Sequence, residues 1–144
     1  MQTVSYILKQ KGSDVASVSP DTMVRDALRI MAEKNIGAIV VKDKEKLVGI
    51  FSERDYARKI VLKDKSSKTT PISEIMTSDE LITVKPGNSV DDCMVLMTER
   101  RIRHLPVVEN EVLLGVISIG DLVKHIIEEQ KITIENLQNY ISGQ

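Results

Sequence analysis

Two stretches of this chain are copies of one pattern. Shifted by 66 positions and without a gap, residues 18–41 (VSPDTMVRDALRIMAEKNIGAIVV) lie over residues 84–107 (VKPGNSVDDCMVLMTERRIRHLPV), and residues 47–60 (LVGIFSERDYARKI) over residues 113–126 (LLGVISIGDLVKHI). Pro20 matches Pro86, Val24 matches Val90, Asp26 matches Asp92 and Met31 matches Met97. Further on, Ile36 matches Ile102, Gly49 matches Gly115, Ser52 matches Ser118 and Asp55 matches Asp121. An ungapped repeat of this length means that one supersecondary unit is built twice. The first copy carries two extra residues ahead of Val18, in the loop KQKGSD.

Both copies read in the same order. A short strand (residues 15–18; 81–84) stops at a Pro two positions on. A helix follows, with Val24, Ala27, Leu28 and Met31 in the first copy and Val90, Cys93, Met94 and Met97 in the second, spaced i, i+3, i+4, i+7. Asp21, Thr22, Asn88 and Ser89 stand where N-caps are wanted. Next come a strand (38–41; 105–108), a polar turn, a second strand (47–51; 112–117) and a second helix from Ser52 or Ser118. The class is α+β, with two tandem β-α-β-β-α units. A unit of about 60 residues cannot cover its own sheet, whereas two packed through their sheets about a pseudo-twofold axis can. The reading assigns residues 1–66 to the first unit, 67–130 to the second and 131–144 to a tail helix, with the polar segment KDKSSKTTP as connector. Ile132, Ile134, Leu137 and Ile141 give the tail an apolar face, which either closes the fold or meets a second copy.

Composition removes several classes of function. The 144 residues carry 20 Lys+Arg against 21 Asp+Glu, so no basic surplus draws the chain to nucleic acid or to an anionic membrane. The longest apolar runs, residues 36–41 and 112–117, fall far short of the ~20 needed to span a bilayer. Residues 1–15 hold no apolar core of a secretory signal, and Cys93 is the single cysteine. A reducing cytoplasm is the expected compartment. Aromatic residues are 3% and Trp is absent, which leaves no stacking platform for single-stranded nucleic acid. No catalytic set stands out. His104 and His125 lack a second ligand at metal spacing, Cys93 falls on a helix core position, and Asp91 and Asp92 fall in a first helical turn, where carboxylates offset the dipole.

One motif remains, and it occurs twice: Gly49-Ile50-Phe51-Ser52-Glu53-Arg54-Asp55 and Gly115-Val116-Ile117-Ser118-Ile119-Gly120-Asp121. A strand delivers Ser to the start of a helix and Asp lies one turn on, on nearly the same face. The Ser hydroxyl and the free N–H groups of the first turn can hold a phosphate, and the carboxylate can accept from both hydroxyls of a ribose. Ser at an N-cap with an acid at N3 is equally a capping box that needs no ligand. Duplication leaves both readings open, because a duplicated gene duplicates its caps.

The repeat, with NIGAIVVKDKEKLVGIFSERDYA in one copy and RIRHLPVVENEVLLGVISIGDLV in the other, resembles the CBS domain, named for cystathionine beta-synthase. A tandem pair of these domains is a Bateman module, and the likeness runs from about Thr3 to Glu128. GIFSERDYARK in the first unit is similar to the form found in small stand-alone bacterial pairs. The resemblance implies a regulatory, ligand-sensing module and not an enzyme, with no required cofactor. It implies adenosine ligands, AMP or another adenine nucleotide such as ADP, ATP or NAD, ahead of S-adenosylmethionine. Two clefts between the units are implied, one using Ser118 and Asp121 with Val18 and Ser19, the other Ser52, Arg54 and Asp55 with Val84 and Lys85. Also implied are a flat homodimer and an effector protein that the sequence does not name. The alternative is a purely structural homodimer whose Ser-x-x-Asp motifs only cap helices. The clefts differ in side chains. Arg54 stands where the second unit has Gly120, and Arg103 and His104 stand where the first has Gly37 and Ala38. Arg54 favours a charged phosphate, while Gly37 and Ala38 leave room for close approach of a base. Arg100, Arg101 and Arg103 are either a solvated helix end or phosphate contacts. Val40 in place of Pro106 is a mild departure from the family pattern.

Overall fold

The computed structural model describes residues 2–12 and 14–143; Met1, Ser13 of the KQKGSD loop and Gln144 lie outside the described residues. In unit one, β1 (Ser17–Val18) pairs in parallel with β2 (Ala38–Asp43), which pairs antiparallel with β3 (Lys46–Ser52). Between β1 and β2 the chain forms α2 (Val24–Lys34), preceded near the N-terminus by α1 (Val4–Lys11). After β3 comes α3 (Glu53–Asp55), which widens into a π-helical turn (Tyr56–Val61). Unit two repeats the order with α4 (Val90–Arg100), the antiparallel pair β4 (His104–Glu109) and β5 (Val112–Ser118), and α5 (Ile119–Ile141).

The expected first strand of unit two is reduced to a single parallel bridge, Val84 to Val107. The cause is Pro106. Val84 donates to the Pro106 carbonyl (3.0 Å) and accepts from Val108 (2.9 Å), but the next bond of that ladder needs an N–H at position 106, which proline lacks. Val40 supplies it in unit one. Capping also departs from expectation in α2. Met23 is its N-cap, without a side-chain bond, and Asp21 and Thr22 bond to Ser19 instead. The first N–H groups of α2 are met by linker carbonyls: Val24 donates to Thr70 (3.0 Å) and Arg25 to Ser67 (2.9 Å). Ser89 caps α4 as expected.

Each unit's core is completed by a segment that precedes the other unit in the chain. One buried cluster joins Val84, Leu105, Val107, Ile117 and Leu122 with Val4 and Ile7 of α1. The other joins Val24, Ile39, Val41, Phe51 and Ile60 with Ile72 and Ile75, which the sequence reading groups with the second unit. Residues 2–11, grouped by position with the first unit, therefore dock on the second. The two arms are themselves a repeat: Thr3 bridges Ser89 as Pro71 bridges Met23. Leu8 and Met76 hold matching places, lying over Gly115 and Gly49, where a Cβ would come within 2.6 Å of Leu8 and 2.5 Å of Met76. A side chain at Gly115 would push the end of Leu8 aside, and one at Gly49 would displace Met76 and press on the Thr77 carbonyl at 3.1 Å.

The tail is the second half of α5 and not a separate helix. Within one chain its apolar face closes nothing: Ile132, Ile134, Leu137 and Ile141 are each more than half exposed.

Candidate functional site

Each motif is built at a strand-to-helix junction. Ser52 ends β3, and its Oγ accepts from the Asp55 N–H (3.3 Å), while Asp55 Oδ2 accepts from the Ser52 N–H (2.9 Å). Ser118 and Asp121 repeat this at the start of α5, with 3.1 and 2.9 Å. Ser89 and Asp92 form a third such box at the start of α4, with 3.0 Å for both bonds. All three are complete capping boxes. What separates them is what lies in front of them.

Ser52 and Asp55 face a cleft of about 860 Å³ where the two units meet. That volume lies inside the range of pockets that hold small organic ligands, about 300–1,000 Å³. Ile50, Ile82 and Pro106 give it apolar wall, from both units and the segment between them. Five arginines also line it: Arg54, Arg58, Arg100, Arg101 and Arg103. All five are exposed, and among the described residues none forms an ion pair. Glu53 and Glu80 are the other charged lining residues besides Asp55, so cations exceed carboxylates. Arg54 Nη1 donates to the Arg101 carbonyl at 2.6 Å, across the boundary between units. Arg101 itself is left-handed (φ +55°), which turns the chain from α4 toward β4. The site thus offers an apolar slot, a carboxylate and a surplus of guanidinium groups that suits an anion with a flat apolar part.

Of the residues singled out from sequence, Gly37, Ala38, Ser52, Arg54, Asp55, Arg103, His104 and Ser118 all line this one cleft. Asp121 does not; it pairs with Lys11 Nζ at 2.7 Å. Val18 and Val84 are buried in the cores of units one and two. Ser19 is exposed and bonded to Asp21, and Lys85 is exposed with its N–H donated to Asn88 (2.7 Å). Sequence reading missed Arg58, Thr77 and the Glu80–Ile82 stretch. Arg58 was findable, since it lies four residues after Arg54 on a helix. Thr77 was not, because its place depends on how the linker crosses: its backbone exchanges hydrogen bonds with Ile50 at 2.8 and 3.0 Å, and its hydroxyl reaches Asp55 Oδ1 at 3.4 Å.

Burial and the neighbouring charges together set the protonation of two groups. Burial opposes ionisation of Asp121, but the bond from Lys11 and the N–H of Ser118 outweigh it, so the carboxyl titrates below its usual range. His104 is held below the ordinary imidazole value, first by burial and next by the Lys11 charge. It is therefore neutral at pH 7. Lys11→Met is expected to shift the His104 titration upward, part of the way back to the ordinary value, as followed by NMR of the imbedded ring's carbon-bound protons; an unmoved titration would mean that Lys11 does not lie where the structure places it. Cys93 is buried, and burial with the neighbouring Asp92 pushes its thiol up to about 11, which makes it unreactive at neutral pH. Among the described residues no three His, Cys, Asp or Glu side chains gather to hold a metal. No helix among them is long and apolar enough to cross a membrane.

The model of the family described as CBS domain matches twice, at residues 11–62 and 72–128. The chain belongs to the CBS-domain family. This CBS pair is 50% identical to a solved protein with CBS domains from Burkholderia ambifaria MC40-6, with a TM-score of 0.85 over 90% of this chain and 96% of that one. It is 40% identical to the mitochondrial CBS domain-containing protein CBSX3 of Arabidopsis thaliana, over 98% of this chain and 72% of the relative. An inosine-5'-monophosphate dehydrogenase from Aquifex aeolicus is 39% identical over 75% of this chain, but the match covers 22% of that enzyme and leaves the rest of it without counterpart here. The likeness is to a regulatory module that occurs both alone and as part of larger proteins.

Proposed function

We propose that this CBS pair is a sensor that binds an adenine nucleotide in the cleft at Ser52 and Asp55 and passes the binding event to a partner protein. The observation that carries the reading is the cleft's composition. Asp55 offers a carboxylate for ribose hydroxyls, Ile50, Ile82 and Pro106 offer apolar surface for a base, and the unpaired arginines offer charge for phosphate. AMP, ADP, ATP and NAD all present these three parts. S-adenosylmethionine brings a sulfonium cation in place of phosphate, which the arginines disfavour.

A ligand in this cleft touches both units, Arg54 and Asp55 on one side and Arg103 and His104 on the other. It can favour one arrangement of the units over another by as much as its affinity for the two differs. With the apolar face of α5 exposed, a homodimer is the natural form of the module, and an effector protein reads its state. A single, buried thiol suits a reducing compartment such as the cytoplasm. The second reading, a structural dimer with capping motifs only, is favoured by one observation: the box at Ser89 and Asp92 is as complete as the other two.

Thermal melts with AMP, ADP, ATP, NAD and S-adenosylmethionine test the proposal. A ligand at 100 times its dissociation constant adds about 2.7 kcal/mol, which for a chain of this size is a rise of roughly 5 °C or more. A rise with phosphate-bearing nucleotides that shrinks in high salt is expected. No rise with any of them leaves the capping reading in place.

A further inference from the structure

The two halves match position by position, so each wall of the open cleft has a counterpart in the other half. Ile50 corresponds to Val116 and Asp55 to Asp121. Ile50 and Asp55 line the open cleft, while Val116 and Asp121 do not. Between these two lies the ammonium of Lys11, donating to the Val116 carbonyl at 2.8 Å and to Asp121 Oδ2 at 2.7 Å. Unit one meets the same two positions differently. There the arm leaves its short 3-10 turn (Ile72–Glu74) and runs extended, so that the Thr77 backbone N–H takes the Ile50 carbonyl. Asp55 keeps its own helix's Lys59 at 3.1 Å and the Thr77 hydroxyl at 3.4 Å. In unit two the arm stays helical through Lys11, and Gly12 (φ +95°) ends it. That extra helical turn carries a lysine to the carboxylate.

We propose that Lys11 is a built-in occupant of the second Ser-x-x-Asp junction: its ammonium spans the Val116 carbonyl and the Asp121 carboxylate, where a ribose would otherwise be received, so the chain takes one nucleotide, at Ser52 and Asp55, and none at Asp121. This rests on the nucleotide reading above and adds stoichiometry to it. The energetics favour the occupant. The Lys11–Asp121 pair carries full charge on both partners, whereas a ribose hydroxyl brings only a dipole to the carboxylate. Lys59 holds Asp55 from its own helix and turns to the Ile75 carbonyl, while Lys11 reaches in from the arm and spans Val116 and Asp121. Lys11 is also tethered by α1, whose Val4 and Ile7 are buried in the unit-two core, so it pays no cost of association. Asp121 thereby serves as the anchor of α1, a positioning role.

Isothermal titration of the full chain with ADP reads this directly. Wild type is expected to bind one ADP per chain, and Lys11→Ala and Lys11→Met two. Adding Asp121→Ala to Lys11→Met should return the count to one, and Lys11→Arg should stay at one. Asp121→Ala alone should leave the affinity of the first site unchanged. Two ADP per wild-type chain, or one per Lys11→Met chain at saturation, overturns the proposal and leaves the nucleotide reading standing. No binding to any form overturns both.

Discussion

Replacing Asp55 by Ala is expected to weaken ADP binding by roughly ten- to a hundredfold, the equivalent of a lost hydrogen bond to a charged group at 1.5–3 kcal/mol. The same change at Asp92 should leave binding untouched. The pair matters because the two carboxylates have the same local duty. Asp55 accepts from Ser52 at 2.9 Å and Asp92 from Ser89 at 3.0 Å, and each closes a capping box. Removing either carboxylate costs its helix about 1 kcal/mol of capping. Only Asp55 lines the cleft. Asp92 is therefore the molecule's own control for loss of a cap without loss of a ligand contact. Thermal melts give each variant's stability loss, which for Asp55→Ala also includes the contacts to Lys59 and the Thr77 hydroxyl, and titration calorimetry of the folded proteins then compares affinities. If Asp55→Ala binds ADP as tightly as Asp92→Ala does, the motif is a cap at both places and the nucleotide site is wrongly assigned.

The repeat, the two amphipathic helices and both hairpins were legible in the sequence, because their signals are local: apolar spacing, a polar turn, a Ser ahead of a helix. The Ser-x-x-Asp motifs could be placed at strand-to-helix junctions for the same reason. The arms were not legible. Val4, Ile7 and Leu8 match Ile72, Ile75 and Met76 only when the offset grows from 66 to 68, beyond the two extra residues ahead of Val18. A comparison held at one offset ends before it reaches them. The crossing of each arm to the other unit is a tertiary choice, and no local signal encodes it. The same limit hid Lys11 from the site and Thr77 from the cleft, since both reach it by way of an arm. The continuity of α5 was readable in part. Residues 128–131 (EEQK) are good helix formers with no Gly or Pro, so polarity alone gave no reason to break the helix there.

Ile7→Ala should destabilise the half of the molecule remote from it in sequence. Ile7 is buried against unit two, together with Val84, Leu105 and Ile117, and Ile75 holds the matching place in unit one with Phe51. Truncating a buried isoleucine to alanine costs about 2–5 kcal/mol, which lowers the melting temperature of a chain this size by roughly 6 to 15 °C. The location of the damage is the sharper test. Amide exchange in Ile7→Ala is expected to quicken first in β4 and β5, and in Ile75→Ala first in β2 and β3. Faster exchange in β2 and β3 for Ile7→Ala would mean that α1 docks on its own unit and that the arms do not cross. The crossing also bears on signalling. The arm that completes unit one continues through Thr77 to Ile82 along the cleft before it enters unit two. A ligand that draws on Asp55 and Ile82 therefore acts on the same segment that fastens the units together. For that reason Ile75→Ala, which contacts no ligand, should weaken ADP binding, while Ile7→Ala, whose arm ends at Lys11 on the other side, should alter it less.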